Sequence, residues 1–212
     1  MKITAIENQK KNKNRMSVFL DGAFAFGIDA FSLYALKLSV GDEIDHTRLA
    51  EIKRTVLLED AKAKAAKLLS SRSYTVRDMK KKLAEYTGDA ETVEKAVAFL
   101  KEYRLLDDRD YAHRYAADCL RLKKLGKRMI RVKLLEKGIA ASLADEVLAE
   151  MEAEETEREN LEALLAKKLK GDVSLKNIMK TKRYLASRGY SFDEIDAAFR
   201  KIKAESEDDF SC

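Results

Sequence analysis

Apolar positions recur along most of this chain at the three- and four-residue spacing of amphipathic helices. Between Leu100 and Gly138, the residues Leu105, Tyr111, Ala112 and Tyr115, and then Ile130 and Leu134, fall on such stripes. Asp107 or Asp108 is placed to cap one helix there, and Gly126 to break the chain before the next. The pattern then repeats. Leu83, Leu134 and Leu185 are spaced by 51 residues, and each lies shortly before a glycine, Gly88, Gly138 or Gly189. The same register carries Val93, Ala144 and Ile195, then Val97, Leu148 and Phe199, then Leu100, Met151 and Ile202. One buried stripe met three times at one spacing is the signature of a tandem helical array.

The first residues have a different period. Lys2 to Ile6, Met16 to Leu20 and Ala23 to Gly27 read as strands, the last two joined by Asp21-Gly22, a dipeptide suited to a hairpin turn with positive φ at both positions. That loop length sets Phe19 opposite Phe24. Asp29 is placed to cap a short helix carrying Leu33 and Leu36, and helical spacing resumes from about Thr47 at Leu49, Ile52 and Val56. Further on, Thr75 with Asp78 and Ser191 with Glu194 have capping-box spacing. The expected fold is mainly α: tandem three-helix repeats forming an elongated curved solenoid, preceded by a small β-hairpin-containing domain. The expected boundaries are 1–55 for that small domain, 56–108, 109–153 and 154–205 for the repeats, and 206–212 for an acidic tail.

The run Leu106-Asp107-Asp108, followed by Tyr111-Ala112, Gly126, and Leu134 through Lys137-Gly138-Ile139, resembles the RecX family, bacterial regulators of the RecA recombinase. The resemblance covers roughly Leu57 to Lys203 and is most specific in the middle repeat. Two positions depart from the chain's own repeat pattern. Ala140 stands where the other repeats offer Asp89 or Ser191 as a cap, and Thr181 replaces the apolar Met79 and Ile130. The resemblance implies a protein that binds the RecA nucleoprotein filament and restrains its ATPase, strand-exchange and co-protease activities. A monomer without a cofactor is expected on this account, with DNA as a secondary contact. The cysteine usage fits a reducing cytoplasm, and the residues offer no catalytic set, so an enzyme is not expected.

Composition adds exclusions. The 212 residues include no proline and are 37% charged, which suits long helices. There is no apolar run long enough to cross a bilayer. The two cysteines, Cys119 and Cys212, suggest no disulfide framework, and with only His46 and His113 beside them a zinc site would need nearly every candidate ligand to converge. The scattered glycines match no phosphate-binding loop. Asp107-Asp108 reads as a helix cap and a first-turn acid, not a catalytic pair.

The net charge of +5 is modest, but its distribution is uneven. Eight basic residues face only Glu136 between Arg121 and Lys137; eight acids face only Arg158 between Asp145 and Glu159; eight basic residues again face only Asp172 between Lys167 and Arg188. Like charges three or four apart on a helix repel unless an anion is near. The charge is met by the acidic stretch folded back, by plain solvation, or by an external anionic partner. The candidate partner-binding residues are Arg72, Arg77, Lys81, Lys124, Lys127, Arg128 and Arg131, with a possible phosphate contact in the basic loop from Lys10 to Arg15. A single-strand nucleic-acid groove adds stacking aromatics to its basic residues. Tyr74, Tyr86, Tyr103 and Tyr190 are the exposed candidates here, whereas Tyr111 and Tyr115 share the apolar face with Ala112. The weak aromatic signal favours a protein partner. The alternative is a stand-alone DNA-binding helical-repeat protein competing with RecA for DNA, and a third reading is a passive scaffold.

Overall fold

Asp21 and Gly22 take φ of +48° and +85°, and the strands either side of them pair directly, Leu20 with Ala23 and Phe19 with Phe24. The two phenylalanine rings meet edge to face at 6.0 Å. The computed structural model describes residues 1–10, 14–151 and 153–208, with side chains of the last helix as far as residue 202. Its chain divides into two compact units, Met1–Tyr74 with Asp78–Leu106, and Thr75–Arg77 with Asp107–Cys212.

In unit 1, β1 (Ile3–Asn8), β2 (Arg15–Leu20) and β3 (Ala23–Asp29) form an antiparallel sheet in that order. Alternation buries Ile3, Val18, Leu20, Phe26 and Ile28 with Ile52 of the long helix α2 (His46–Leu69). The short helix α1 (Ala30–Ala35) is capped by Asp29, which accepts the Ser32 N–H at 2.9 Å. The boundary expected at residue 55 falls inside α2, which runs unbroken from Ile52 and Val56 against the sheet to the buried Ala61 and Ala65. No glycine or proline interrupts that stretch. Arg15, counted in the basic loop, is not offered to phosphate. Its guanidinium holds Asp60 on α2, with one bond at 2.9 Å, and the Gly27 carbonyl at 3.1 Å. Lys11, Asn12 and Lys13 of that loop lie outside the described residues.

Unit 1 continues through most of α3 (Val76–Thr87) and α4 (Ala90–Glu102), the latter capped by Asp89 and packed on α2. Leu105, expected on a buried helical stripe, is 53% exposed, and its neighbour Leu106 is buried at 2%. The reason is local. Arg104 turns left-handed at φ +52°, and the N–H groups of Leu105 and Leu106 both return to the Leu100 carbonyl, so the helical register does not cross this point.

Unit 2 holds two three-helix sets: α5 (Asp108–Arg121), α6 (Lys127–Glu136) and α7 (Ala141–Glu150), then α8 (Glu154–Leu169), α9 (Leu175–Ser187) and α10 (Phe192–Asp208). The sets have separate cores, one around Ala112, Ala116, Ile130 and Leu134, the other around Leu161, Leu165, Leu185 and Ile195. Helix α10 runs on to Asp208, beyond the expected start of the tail at 206, because no breaking residue occurs there. The rest of the tail, with Cys212, lies outside the described residues.

The 51-residue register is borne out in three dimensions. Leu83, Leu134 and Leu185 are fully buried, and Gly88, Gly138 and Gly189 follow with φ of +65°, +84° and +95°. A second set of positions obeys it too. Lys80–Glu94, Arg131–Asp145 and Lys182–Asp196 are ion pairs at 2.7, 2.5 and 2.5 Å, each tying the second helix of a set to the third. Ser191 and Glu194 form the expected capping box, while Ala140 starts α7 with no side-chain cap. Thr181 is buried where Met79 and Ile130 are. No helix among the described residues is long and apolar enough to cross a membrane.

Candidate functional site

The carboxylates that might suggest chemistry are occupied structurally. Asp107 accepts the N–H groups of Arg109 and Asp110 at 2.8 and 3.2 Å, and Asp108 accepts the N–H of Val76 at 2.8 Å. Burial pushes the Cys119 thiol up, away from the reactive thiolate. Among the described residues no group of His, Cys, Asp and Glu is arranged to hold a metal ion.

The seven candidate basic residues divide by environment. In unit 1 the Arg72 guanidinium lies 4.5 Å from the Tyr74 ring, and Lys81 is exposed on α3 with no carboxylate in ion-pair range among the described residues. In unit 2, Arg77 donates to the Glu136 carbonyl, and Arg131 grips Asp145 with two bonds, at 2.5 and 2.9 Å. The guanidinium holds the Asp145 carboxyl below its usual range. Lys124, Lys127 and Arg128 have no carboxylate in ion-pair range of their side chains among the described residues, and the Lys127 backbone N–H donates to Glu157 at 2.7 Å.

The dense run between Arg121 and Lys137 is therefore not one cationic face. At 100° per residue, Arg128 stands about 100° and Lys133 about 240° round α6 from Lys127. The acidic stretch serves as an internal partner for part of it. Asp145 takes Arg131 of the run; Glu146 and Glu150 instead take Arg109, outside it, one bond being 2.9 Å, and Glu150 also approaches His113 at 3.1 Å. The spacing contained the clue to which cations are structural: the acids at 94, 145 and 196 recur with the bases at 80, 131 and 182.

Two aromatics expected at the surface are buried. Tyr74 is 8% exposed, and Tyr190 is 2% exposed with its hydroxyl donating to the Lys124 carbonyl at 3.1 Å. Tyr103 packs on Phe99 at 4.5 Å, and Tyr86 lies 5.7 Å from Lys64. Tyr111 and Tyr115 pack half-buried against the middle core, their rings stacked at 5.9 Å. Burial there pushes the Tyr115 hydroxyl up to about 12.

The cations of loop 122–125 are held on a fixed backbone. Asn160 donates to the Leu120 carbonyl at 2.9 Å, Arg188 to the Lys123 carbonyl, and the Gly126 N–H to the Arg188 carbonyl at 3.0 Å. The pattern has a counterpart 51 residues earlier, also within unit 2, where Thr75 Oγ1 donates to the Lys137 carbonyl at 3.0 Å. The N–H groups of Val76 and Lys127, at equivalent positions, go to Asp108 and Glu157.

Glu157 is buried beside a cleft of about 450 Å3 lined also by Lys127, Arg158, Tyr190 and Glu194. Burial raises its carboxyl above the ordinary 4.5, despite the 2.7 Å bond from the Lys127 N–H. A carboxyl raised in the folded state costs stability while ionised, and that cost disappears as pH falls from its folded value to its unfolded one. Glu157→Gln keeps the acceptor oxygen. The variant is expected to show a higher urea midpoint than the parent at about pH 7.5 and the same midpoint at about pH 4. Equal midpoints at both pH values would contradict the burial cost.

Three segments match domains of one family: residues 1–45 the regulatory protein RecX N-terminal domain, residues 107–148 the RecX second three-helix domain, and residues 155–199 the RecX third three-helix domain. The chain is 35% identical over 199 residues to regulatory protein RecX of Clostridium botulinum (strain Alaska E43 / Type E3), covering 92% of each. It is 31% identical over 214 residues to that of Clostridium beijerinckii, covering 99% of each. It superimposes on a crystal structure of regulatory protein RecX with TM-score 0.75 and 28% identity, over 94% of this chain and 98% of that one. For RecX from Lactobacillus salivarius the TM-score is 0.65 over 70% of this chain and 97% of the other, at 21% identity, a likeness of fold.

Proposed function

This chain belongs to the RecX family, and on that premise we propose that it regulates RecA by binding the RecA nucleoprotein filament and restraining its ATPase, strand-exchange and co-protease activities. The observation that supports this reading is the set of candidate cations with no carboxylate in ion-pair range among the described residues, Lys124, Lys127 and Arg128 in unit 2 and Lys81 in unit 1, whereas the bases that recur with the repeat, Lys80, Arg131 and Lys182, are each paired. Unpaired cations on an ordered backbone suit an anionic partner at low entropic cost. Weak contacts by linked helical sets on one filament reinforce one another through effective concentration, so a monomer suffices. Binding changes RecA activity to the extent that the bound filament differs in free energy from the active one. DNA enters this account as a secondary contact, since two of the four tyrosines that could stack on single strands, Tyr74 and Tyr190, are buried.

The test is the single-stranded-DNA-dependent ATP hydrolysis of RecA, titrated with this protein while the mobility of the same DNA is followed without RecA. Suppression is expected well below the concentration that shifts bare DNA. Lys124→Glu with Arg128→Glu is expected to raise the concentration for half-suppression at least about tenfold, roughly 1.4 kcal/mol of binding, with unchanged helical content. Suppression that sets in only once the DNA is coated would mean simple competition for DNA, with a steep loss on adding salt.

A further inference from the structure

Loop 122–125, helix α6 and the end of α9 border an open groove of about 600 Å3 within unit 2. Every charged residue lining it is basic: Lys123, Lys133 and Arg188. Lys133 is paired with Glu136 at 2.8 Å, but neither Lys123 nor Arg188 has a carboxylate within 4.0 Å among the described residues. The Lys123 ammonium lies 5.1 Å from the Tyr115 ring, and the Arg188 guanidinium bonds the Lys123 carbonyl.

The same groove offers apolar surface from Leu125, Met129 and Leu122, the last 77% exposed. An exposed leucine at the mouth of a cationic groove gives two kinds of attraction in one place. The backbone beneath is already organised by the bonds to the carbonyls of Leu120, Lys123 and Lys124, so little ordering remains for binding. A nucleic-acid strand is the poorer match. Tyr184, the aromatic residue of the groove, already carries Lys168 at 4.2 Å and Arg188 at 5.3 Å from its ring centre, cations with which a stacking base would compete. The cleft beside Glu157 is a poorer match for an acidic ligand, because Glu154, Glu162 and Glu194 line it as well, against Lys127, Arg158 and Lys201.

We propose that this groove is a docking site for an acidic peptide segment of a partner protein, one that places a large apolar side chain against Leu122 and Met129 and carboxylates against Lys123 and Arg188. Neither charge alone nor apolar surface alone is sufficient for such a ligand. The peptide's specificity comes from having both within a few residues.

The probe is a fluorescein-labelled octapeptide, Asp-Glu-Asp-Phe-Glu-Leu-Asp-Glu, added to the full chain without RecA and followed by anisotropy at low salt and at about 0.3 M salt. A second peptide with serine for Phe and Leu has the same charge. Saturable binding of the first is expected, weakened about tenfold by Lys123→Glu and about fivefold by Leu122→Ser, with the serine peptide at least about fivefold weaker. Both substituted side chains are exposed, and unchanged thermal melting by circular dichroism establishes that the variants fold. Absence of saturable binding overturns the proposal. So does equal binding of the two peptides, or displacement of the probe by oligo(dT) with no effect of Leu122→Ser, either of which marks a general polyanion surface. RecA is absent from the assay, so this docking site and the proposed regulation stand or fall separately.

Discussion

Gly189→Ala is expected to destabilise unit 2 by about 3 kcal/mol, combining the left-handed penalty of a non-glycine residue with overpacking against atoms that have nowhere to move. Gly189 has φ +95°, and a Cβ there would lie 2.6 Å from Met129 Cβ, 2.9 Å from the Gly126 carbonyl oxygen, and against the Met129 backbone nitrogen. These atoms belong to the first turn of α6 and its cap, which the Gly126 and Lys127 N–H bonds hold in place. Gly126 faces the same crossing from the other side, its own Cβ position lying 2.7 Å from the Gly189 carbonyl oxygen.

Two other glycines separate strain from crowding. Gly171 also has positive φ, +82°, but nothing lies within 4 Å of its Cβ position, so Gly171→Ala is expected to cost only about 1 kcal/mol. Gly138 is intermediate, because the atoms over it, at 2.6 and 2.7 Å, belong to the flexible end of Arg77. Urea denaturation followed by circular dichroism gives the ranking. If Gly171→Ala and Gly189→Ala shift the midpoint equally, the close crossing of α6 and the α9 terminus is wrong.

Leu83→Ala, Leu134→Ala and Leu185→Ala are each expected to cost about 3 kcal/mol, within the range for deleting a fully buried leucine and leaving a cavity. The three leucines are equivalent by the 51-residue register. Leu134 and Leu185 lie in separate cores, so their effects are expected to add to within about 0.5 kcal/mol in the double variant. Leu175→Ala, at an exposed position of α9, is the control and is expected to change stability by no more than about 0.5 kcal/mol. A cost below about 1 kcal/mol at any of the three buried sites would mean that the repeat does not pack alike in each set.

Much of the fold was legible because it depends on neighbours a few residues apart. Asp21-Gly22 specifies its turn through its own φ preferences, and Asp29, Asp89, Asp107 and the Ser191–Glu194 pair cap helices within three residues of themselves. The RecX resemblance was legible for the same reason, since its motif residues serve as caps, breaks and core positions within single helices. Leu105 shows the limit. Helical spacing was extended across Arg104, and one left-handed residue moved the buried position to Leu106.

The candidate site was legible only in part. Local charge identified Lys81, Lys124, Lys127 and Arg128, which have no carboxylate in ion-pair range among the described residues, but it treated Arg131 and Arg77 alike with them. Arg131 is tied to Asp145, 14 residues on, and Arg77 to the Glu136 carbonyl, 59 residues on. Tyr190, expected at the surface, is covered where α8 and the end of α9 meet loop 122–125. Lys123 and Arg188 entered only as members of charged runs, and nothing in those runs marked them as sharing a groove with Leu122.

The tandem register, the hairpin, the helix caps and the family were readable from residues alone, because each follows from periodicity and turn chemistry over short spans of chain. Tertiary packing settles which cations are neutralised, which tyrosines are covered and which cations border an open groove with Leu122. Pairing and burial depend on groups brought together from distant positions by helix packing, and a charge count along the chain has no knowledge of which side of a helix each charge occupies.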